Sequence, residues 1–263
     1  MKRIVRWGLA AALVAGVAAR PAGAQPPPTV VTDVAAATPS VADAGASEHG
    51  FAKRLLRDVG SDYKNFFSVE TGVWLGVGGD AALAVHAADA SIAASASEPG
   101  AVTLPGGATY GTQLLHVPVA IVWWAVAAAA GSPRHAETGR DLLRAQLSVF
   151  SWTYAIKIAT QRERPNGDPH SFPSGHASTT FATAMVLQEH YGWKIGLPAF
   201  AAASYAAASR VADRQHWASD VVFGAALGMV SGRTVTIRLR ESRVSVGPIA
   251  VPGGVIVTVM RSS

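Results

Sequence analysis

Apolar residues recur at helical spacing along most of this chain. Phe51, Leu55, Leu56 and Val59 mark one face of a helix, with Lys53, Arg54, Arg57 and Asp58 on the other. Residues 69–94 form a long apolar-rich stretch interrupted by Asp80, His86 and Asp89. Residues 98–111, with Pro99, Pro105 and several glycines, read as a loop. A further apolar helix covers 112–130 and is broken by Ser132-Pro133, and an amphipathic one covers 138–162, with Pro165 expected to end it. Residues 177–191, 194–209 and 217–232 supply three more helices. The period then changes. Residues 234–239 alternate Thr and Arg with Val, Ile and Leu, 244–246 and 254–260 are β-branched, and Pro252-Gly253-Gly254 is a turn signal. The predicted fold class is all-α, a helical bundle with a short β-hairpin-like C-terminal tail.

Composition adds boundaries. Residues 2–6 carry Lys2, Arg3 and Arg6, residues 8–19 are apolar, and Ala22-Gly23-Ala24 places small residues at a cleavage position. The apolar run is shorter than the ~20 residues that span a bilayer. Residues 1–24 are therefore expected to be a signal peptide and the protein to be exported, into a bacterial periplasm. That segment holds four basic residues and no acid, so its removal takes the formal charge from +5 to +1. No basic run interleaved with aromatics suggests nucleic acid as a partner. Residues 25–47, rich in Pro and Ala, read as a linker, 48–232 as the helical domain and 233–263 as a β-rich extension. Cysteine is absent, which excludes disulfides, zinc–thiolate sites and a thiol nucleophile. Charged residues interrupt most apolar stretches and are costly at bilayer depth. A bundle that is soluble or attached to a membrane surface is expected, with a membrane-spanning bundle as the alternative.

The chemistry is concentrated in three short segments. The first is Lys157-x6-Arg164-Pro165. Its two cations are seven residues apart, close to two helical turns, which places both side chains on one helix face where they can converge on one anion. The second is Pro173-Ser174-Gly175-His176. Ser174 is a candidate N-cap, and free amides at a helix start beside a glycine make an anion seat. The Ser174 hydroxyl and the Gly175 amide are expected to donate to phosphate oxygens, with His176 at the edge of the seat. The third is Ser209-Arg210-x5-His216-x3-Asp220. Four-residue spacing would put His216 and Asp220 on one helix face, within reach of a hydrogen bond. A carboxylate on one ring nitrogen leaves the other nitrogen's lone pair free to attack. The planar fork of Arg210 suits a phosphate.

These residues resemble the complete three-part signature of the type 2 phosphatidic acid phosphatase and vanadium haloperoxidase superfamily, over roughly residues 110–232. The resemblance implies an α-helical bundle with its site at one end. It implies that His216 is a nucleophile forming a phosphohistidine, that Asp220 orients it, and that His176 protonates the leaving oxygen and later activates water. It further implies that Lys157, Arg164, Ser174, Gly175 and Arg210 bind the phosphoryl oxygens. Three fixed cations facing a dianion leave no need for a metal, so neither metal nor cofactor is expected.

Two histidines with different protonation states predict a bell-shaped rate profile at mildly acidic to neutral pH. The expected activity is a metal-independent phosphatase acting on phosphomonoesters or lipid phosphates and pyrophosphates. The alternatives are a vanadium-dependent haloperoxidase, in which vanadate would be the cofactor, a protein that holds phosphate without hydrolysing it, and a membrane-spanning lipid phosphatase with the same site. The expected partners are a phosphorylated small molecule or lipid phosphate and a membrane surface. The sequence does not choose between lipid and soluble substrates and is silent on oligomeric state.

Overall fold

The computed structural model describes residues 41–237, 239, 244–251 and 254–261, with side chains from residue 53 to 237 and at Leu239. The expected signal peptide and most of the expected linker lie outside the described residues. Among the described residues, nine helices and two strands follow one another: α1 (Val41–Phe66), α2 (Val69–His86), α3 (Asp89–Ser95), α4 (Gly107–Gly111), α5 (Gln113–Ala129), α6 (Pro133–Thr160), α7 (Gly175–Tyr191), α8 (Trp193–Ala212), α9 (Ala218–Val235), β1 (Val244–Val251) and β2 (Gly254–Arg261).

Local signals start most of these helices. Ser68 and Thr112 accept hydrogen bonds from Thr71 N and Leu114 N at the starts of α2 and α5. Pro133 opens α6, where its missing N–H costs nothing. The core is a layer of small and branched side chains: Leu142, Ala145 and Val149 of α6, Ala182 and Val186 of α7, and Leu227, Val230 and Val235 of α9. Phe66 closes one side and stacks on Trp152 with ring centroids 4.6 Å apart.

α7 and α9 approach closely along a glycine seam. A Cβ at Gly224 would lie 2.6 Å from the Ser174 carbonyl oxygen, one at Gly232 2.7 Å from that of Ala182, and one at Gly228 would overlap that of Ser178. The contacts advance four residues at a time on both helices and in the same direction. α7 and α9 therefore run parallel, with both N-termini at one end of the bundle.

The structure corrects the sequence reading at five places. α1 starts at Val41, inside the stretch read as linker, because the Ala-rich residues 41–47 have high helix propensity. Leu56, read as part of the apolar face of α1, is exposed; Asp62 and Phe66 are buried instead. The apolar stretch 69–94 breaks after His86 into two helices, where Asp89 turns inward. The loop 98–111 contains α4, whose N-cap Gly106 has φ 79°. Finally, the described residues of 234–239 form no strand. Thr234 and Val235 complete α9, and the Thr234 and Thr236 hydroxyls donate back to the Val230 and Gly232 carbonyls.

The expected tail hairpin is present further on. β1 and β2 pair antiparallel from Val244 opposite Arg261 to Val251 opposite Gly254. No described helix is long and apolar enough to cross a membrane.

Candidate active site

Four helix ends and two loops converge at one end of the bundle. α6 and α8 arrive with their C-terminal turns, which carry Lys157 and Arg210. α7 and α9 arrive with their N-termini, which carry Gly175 and His176, and Asp220. The loops before α7 and α9 supply Arg164 and His216. Between them lies a cavity of ≈ 430 Å³, lined among others by Lys157, Arg164, Gly175, His176, Arg210 and His216.

Six of the eight residues singled out from the sequence thus share one hollow. Ser174 and Asp220 are wholly buried behind it and do not line it. Ser174 is the N-cap of α7, and its hydroxyl accepts from Ala177 N at 3.4 Å. As an acceptor that hydroxyl caps the helix, and this bond does not engage its own proton.

Two further geometric expectations change. α6 ends at Thr160, with Gln161 in the left-handed region at φ 47°, so Lys157 and Arg164 do not share a helix face. They meet because the chain turns back at Gln161, four residues before Pro165. His216 and Asp220 do not share a face either, since α9 begins only at Ala218. Asp220 instead occupies the third helical position, where its carboxylate accepts from Trp217 N at 2.9 Å. The helix N-terminus favours a negative charge there. His216 Nδ1 faces Asp220 Oδ2 at 3.7 Å, an ion-pair approach longer than a hydrogen bond. Nδ1 is buried and has no hydrogen-bond partner among the described residues.

The field in the cavity is strongly positive. Burial lowers the His216 pKa, Asp220 pulls it back up, and Lys157 and Arg164 push it down, with a net fall. Burial also lowers His176, to about 4, with Arg210 and His216 adding to the effect. This departs from the expectation of a protonated acid at that position, because His176 shares a desolvated site with three cations. Lys157 is held at about 8 by burial and by Arg164, against Asp220. Burial and Arg164 also lower Arg210.

The cations are held in place by the loops. Lys157 Nζ donates to the His170 and Ser171 carbonyls at 2.6 and 3.1 Å. Arg164 Nη1 donates to Gln215 Oε1 at 2.8 Å and Nε to the Pro169 carbonyl at 3.2 Å. Arg210 pairs with Asp213, and its Nε is buried without a partner among the described residues. α4 closes the far side. A Cβ at Gly111 would lie 2.7 Å from His176 Cδ2, so only glycine lets that helix reach the ring.

Sequence reasoning missed several contributors. Arg162 Nη1 donates to Asp220 Oδ1 at 2.6 Å, and Ser171 Oγ donates to Asp220 Oδ2. Ser219 and Asp89 join the same network. Arg162 was hidden in the spacer of the first segment. Asp89 did leave a trace, as a carboxylate interrupting an apolar stretch.

Residues 144–243 match the model of the PAP2 superfamily. The chain is 39% identical over 82 residues to a lipid A 1-phosphatase of Porphyromonas gingivalis, an alignment covering 30% of this chain. It spans only 18% of that relative's length. A solved transmembrane PAP2-type phosphatidylglycerolphosphate phosphatase from Bacillus subtilis is similar with a TM-score of 0.49 at 19% identity, over 69% of this chain and 96% of that one. The stretch from Lys157 to Asp220 lies wholly inside the residues that match the PAP2 superfamily, so all three segments singled out from the sequence fall within that similarity.

Proposed function

We propose that the protein is a metal-independent phosphatase that cleaves lipid phosphate esters through a phosphohistidine on His216. The observation that carries this reading is the single cavity that gathers two histidines and three cations, with a buried carboxylate behind one imidazole.

Asp220 faces Nδ1 of His216, which leaves Nε2 as the attacking atom. As Nε2 bonds to phosphorus, the ester oxygen leaves in line and takes a proton from His176. Lys157, Arg164, Arg210 and the Gly175 amide hold the equatorial oxygens and offset their charge. His176, now neutral, then draws a proton from a water molecule. The water attacks phosphorus, the bond to Nε2 breaks, and inorganic phosphate leaves with both histidines restored. Burial favours the neutral His216 that the attack requires. Burial holds His176 near 4 with Arg210 and Arg164 adding to the effect, and an incoming phosphate dianion offsets those two cations, so substrate itself helps to load the acid.

The lipid reading is supported by the rim of the cavity. Leu114, Phe150 and Tyr154 line it while remaining substantially exposed, and Phe150 and Tyr154 pack with ring centroids 4.4 Å apart. A second hollow of ≈ 310 Å³ shares Gln113, Leu114 and Phe150 with the first and continues over Val117, Pro118 and Leu147. The relative named a lipid A 1-phosphatase is consistent with the same substrate class. We propose export and action at a membrane surface, in line with the N-terminal sequence and the exposed apolar side chains of α2, α5 and α8.

Rapid acid quench and alkaline quench with a labelled substrate test the mechanism. Wild type should yield an acid-labile, alkali-stable phosphoenzyme, and His216→Ala should yield neither phosphoenzyme nor turnover. Turnover that stops with a chelator, or that survives in His216→Ala, would overturn it. For the substrate class, Phe150→Ala should raise KM for a lipid phosphate about tenfold, the effect of exposing part of one buried apolar contact. It should leave a small soluble aryl phosphate unaffected. Equal effects on both would contradict the lipid reading.

A further inference from the structure

We propose that Asp89, at the corner between α2 and α3, is a positioning residue that shares the Arg162 guanidinium with Asp220 and so sets how much negative charge faces His216. The inference rests on the phosphohistidine reading above. It concerns a residue outside the stretch that matches the family model.

Asp89 is 4% exposed, yet it lies in an element that supplies no residue to the cavity. Its Oδ1 accepts from Ser219 N at 3.0 Å, and its Oδ2 from Ser219 Oγ at 2.5 Å and Arg162 Nη2 at 2.8 Å. His86 Nδ1 lies 2.9 Å from the same oxygen. The other arm of the guanidinium, Nη1, donates to Asp220 Oδ1 at 2.6 Å and to Ser219 Oγ at 2.9 Å. Arg162 also covers the Trp217 ring at 5.5 Å. One arginine thus bridges two buried carboxylates, and Ser219, next to Asp220 in the chain, is gripped by the same pair.

The charge balance gives the bridge its role. An arginine committed to Asp220 alone would cancel the carboxylate behind His216. Shared with Asp89, it leaves the trio of Asp89, Arg162 and Asp220 with a net charge of about −1, the remainder after pairing two carboxylates with one guanidinium. That remainder opposes Lys157 and Arg164, which face His216 from the other side together with His176 and Arg210. His86 is the titratable group on the outer side of Asp89. The remaining lone pairs of Asp220 are taken by Trp217 N and Ser171 Oγ, which fix its plane. Asp89 therefore acts on His216 through two intermediaries and touches neither imidazole nor substrate.

Opposite substitutions make the test decisive. Asp89→Asn keeps shape and removes charge, so Arg162 turns wholly to Asp220 and the His216 ring becomes less basic. Arg162→Gln removes the cation, so the ring becomes more basic. Titration of the His216 imidazole by NMR in the full mature chain should give midpoints displaced about one pH unit down and up respectively, the effect of one partly screened charge. The acid limb of kcat/KM should move the same two ways. In Asp89→Asn kcat should fall on the order of tenfold with KM little changed.

Two displacements of the same sign, or none, would overturn the inference, since a purely mechanical brace does not care about the sign of the charge removed. If Asp89→Asn does not fold, an absent upward displacement in Arg162→Gln is sufficient to reject it. The NMR titration stands without turnover. An active wild type lacking a phosphoenzyme would sink the functional reading, whereas an unmoved His216 midpoint would sink only the role of Asp89.

Discussion

An imidazole held near pKa 4 is a poor acid for neutral solution until something changes its surroundings, and at His176 that something is the ligand. A tetrahedral dianion entering beside three cations raises the proton affinity of His176, so binding and protonation are linked. The sign follows: the bound state holds the proton better, so affinity is greatest at low pH and declines as pH rises through the bound-state value. Sulfate, whose own charge is constant over this range, should bind with net proton uptake at about pH 5 to 6.5, where Lys157, near 8, is already charged. Calorimetry in buffers of different ionisation enthalpy measures it, and His176→Gln should reduce it to the share carried by His216, whose pKa the same cations lower. The identity of each such residue was legible in the sequence because its side-chain chemistry is specific. What the sequence could not reveal was depth. Ser174 and Asp220 lie behind the cavity wall, and no spacing rule distinguishes a group that lines a hollow from one that backs it.

At the level of the elements, periodicity located most helices but misjudged how they end. Helix geometry alone put Lys157 and Arg164 on one face; the left-handed Gln161 ended the helix first, and the loop delivered Arg164 instead. The same geometry was applied to His216 and Asp220, although the chain between them is only entering a helix. Pairing across elements was invisible for a different reason, since it depends on which faces meet. Arg144 of α6 is the clearest case. It is 4% exposed, hydrogen-bonds through Nε and Nη2 to Asp62 of α1 and through Nη1 to Asp141, and Asp141 in turn lies 3.0 Å from His190 of α7. Burial pulls the Arg144 pKa down, but its hydrogen bonds to Asp62 and the charges of Asp141, Asp62 and Asp58 raise it above the ordinary value. Arg144→Met should cost about 3–5 kcal/mol of stability at pH 7, because two buried carboxylates lose their shared cation. Protonation removes the buried negative charge that the arginine offset, so the deficit should shrink at acid pH, a trend visible in urea unfolding at a series of pH values.

Over the whole molecule, the glycine seam of α7 and α9 sets the site's dimensions. Gly228→Ala would drive a methyl group into the Ser178 carbonyl and to 2.9 Å from Ala182 N, with no flexible side chain to yield. Unfolding should show a loss of about 1–3 kcal/mol. Activity should fall more than the folded fraction does, because α7 carries Gly175 and His176 and α9 carries the Asp220 that faces His216. The seam has a consequence for the electrostatics of the site as well. It ties two helices side by side with their positive poles facing the same hollow, where three cations already repel one another. Around that hollow, Gln161, His170 and Arg214 hold left-handed backbone that other folds leave to glycine. Among the described residues, non-glycine backbone in the left-handed region is thus found only in the loops beside the mouth. An occupying anion works as a keystone, and amide exchange through 161–174 and 213–217 should slow sharply when sulfate is added, while exchange along the α7–α9 contact stays as it was.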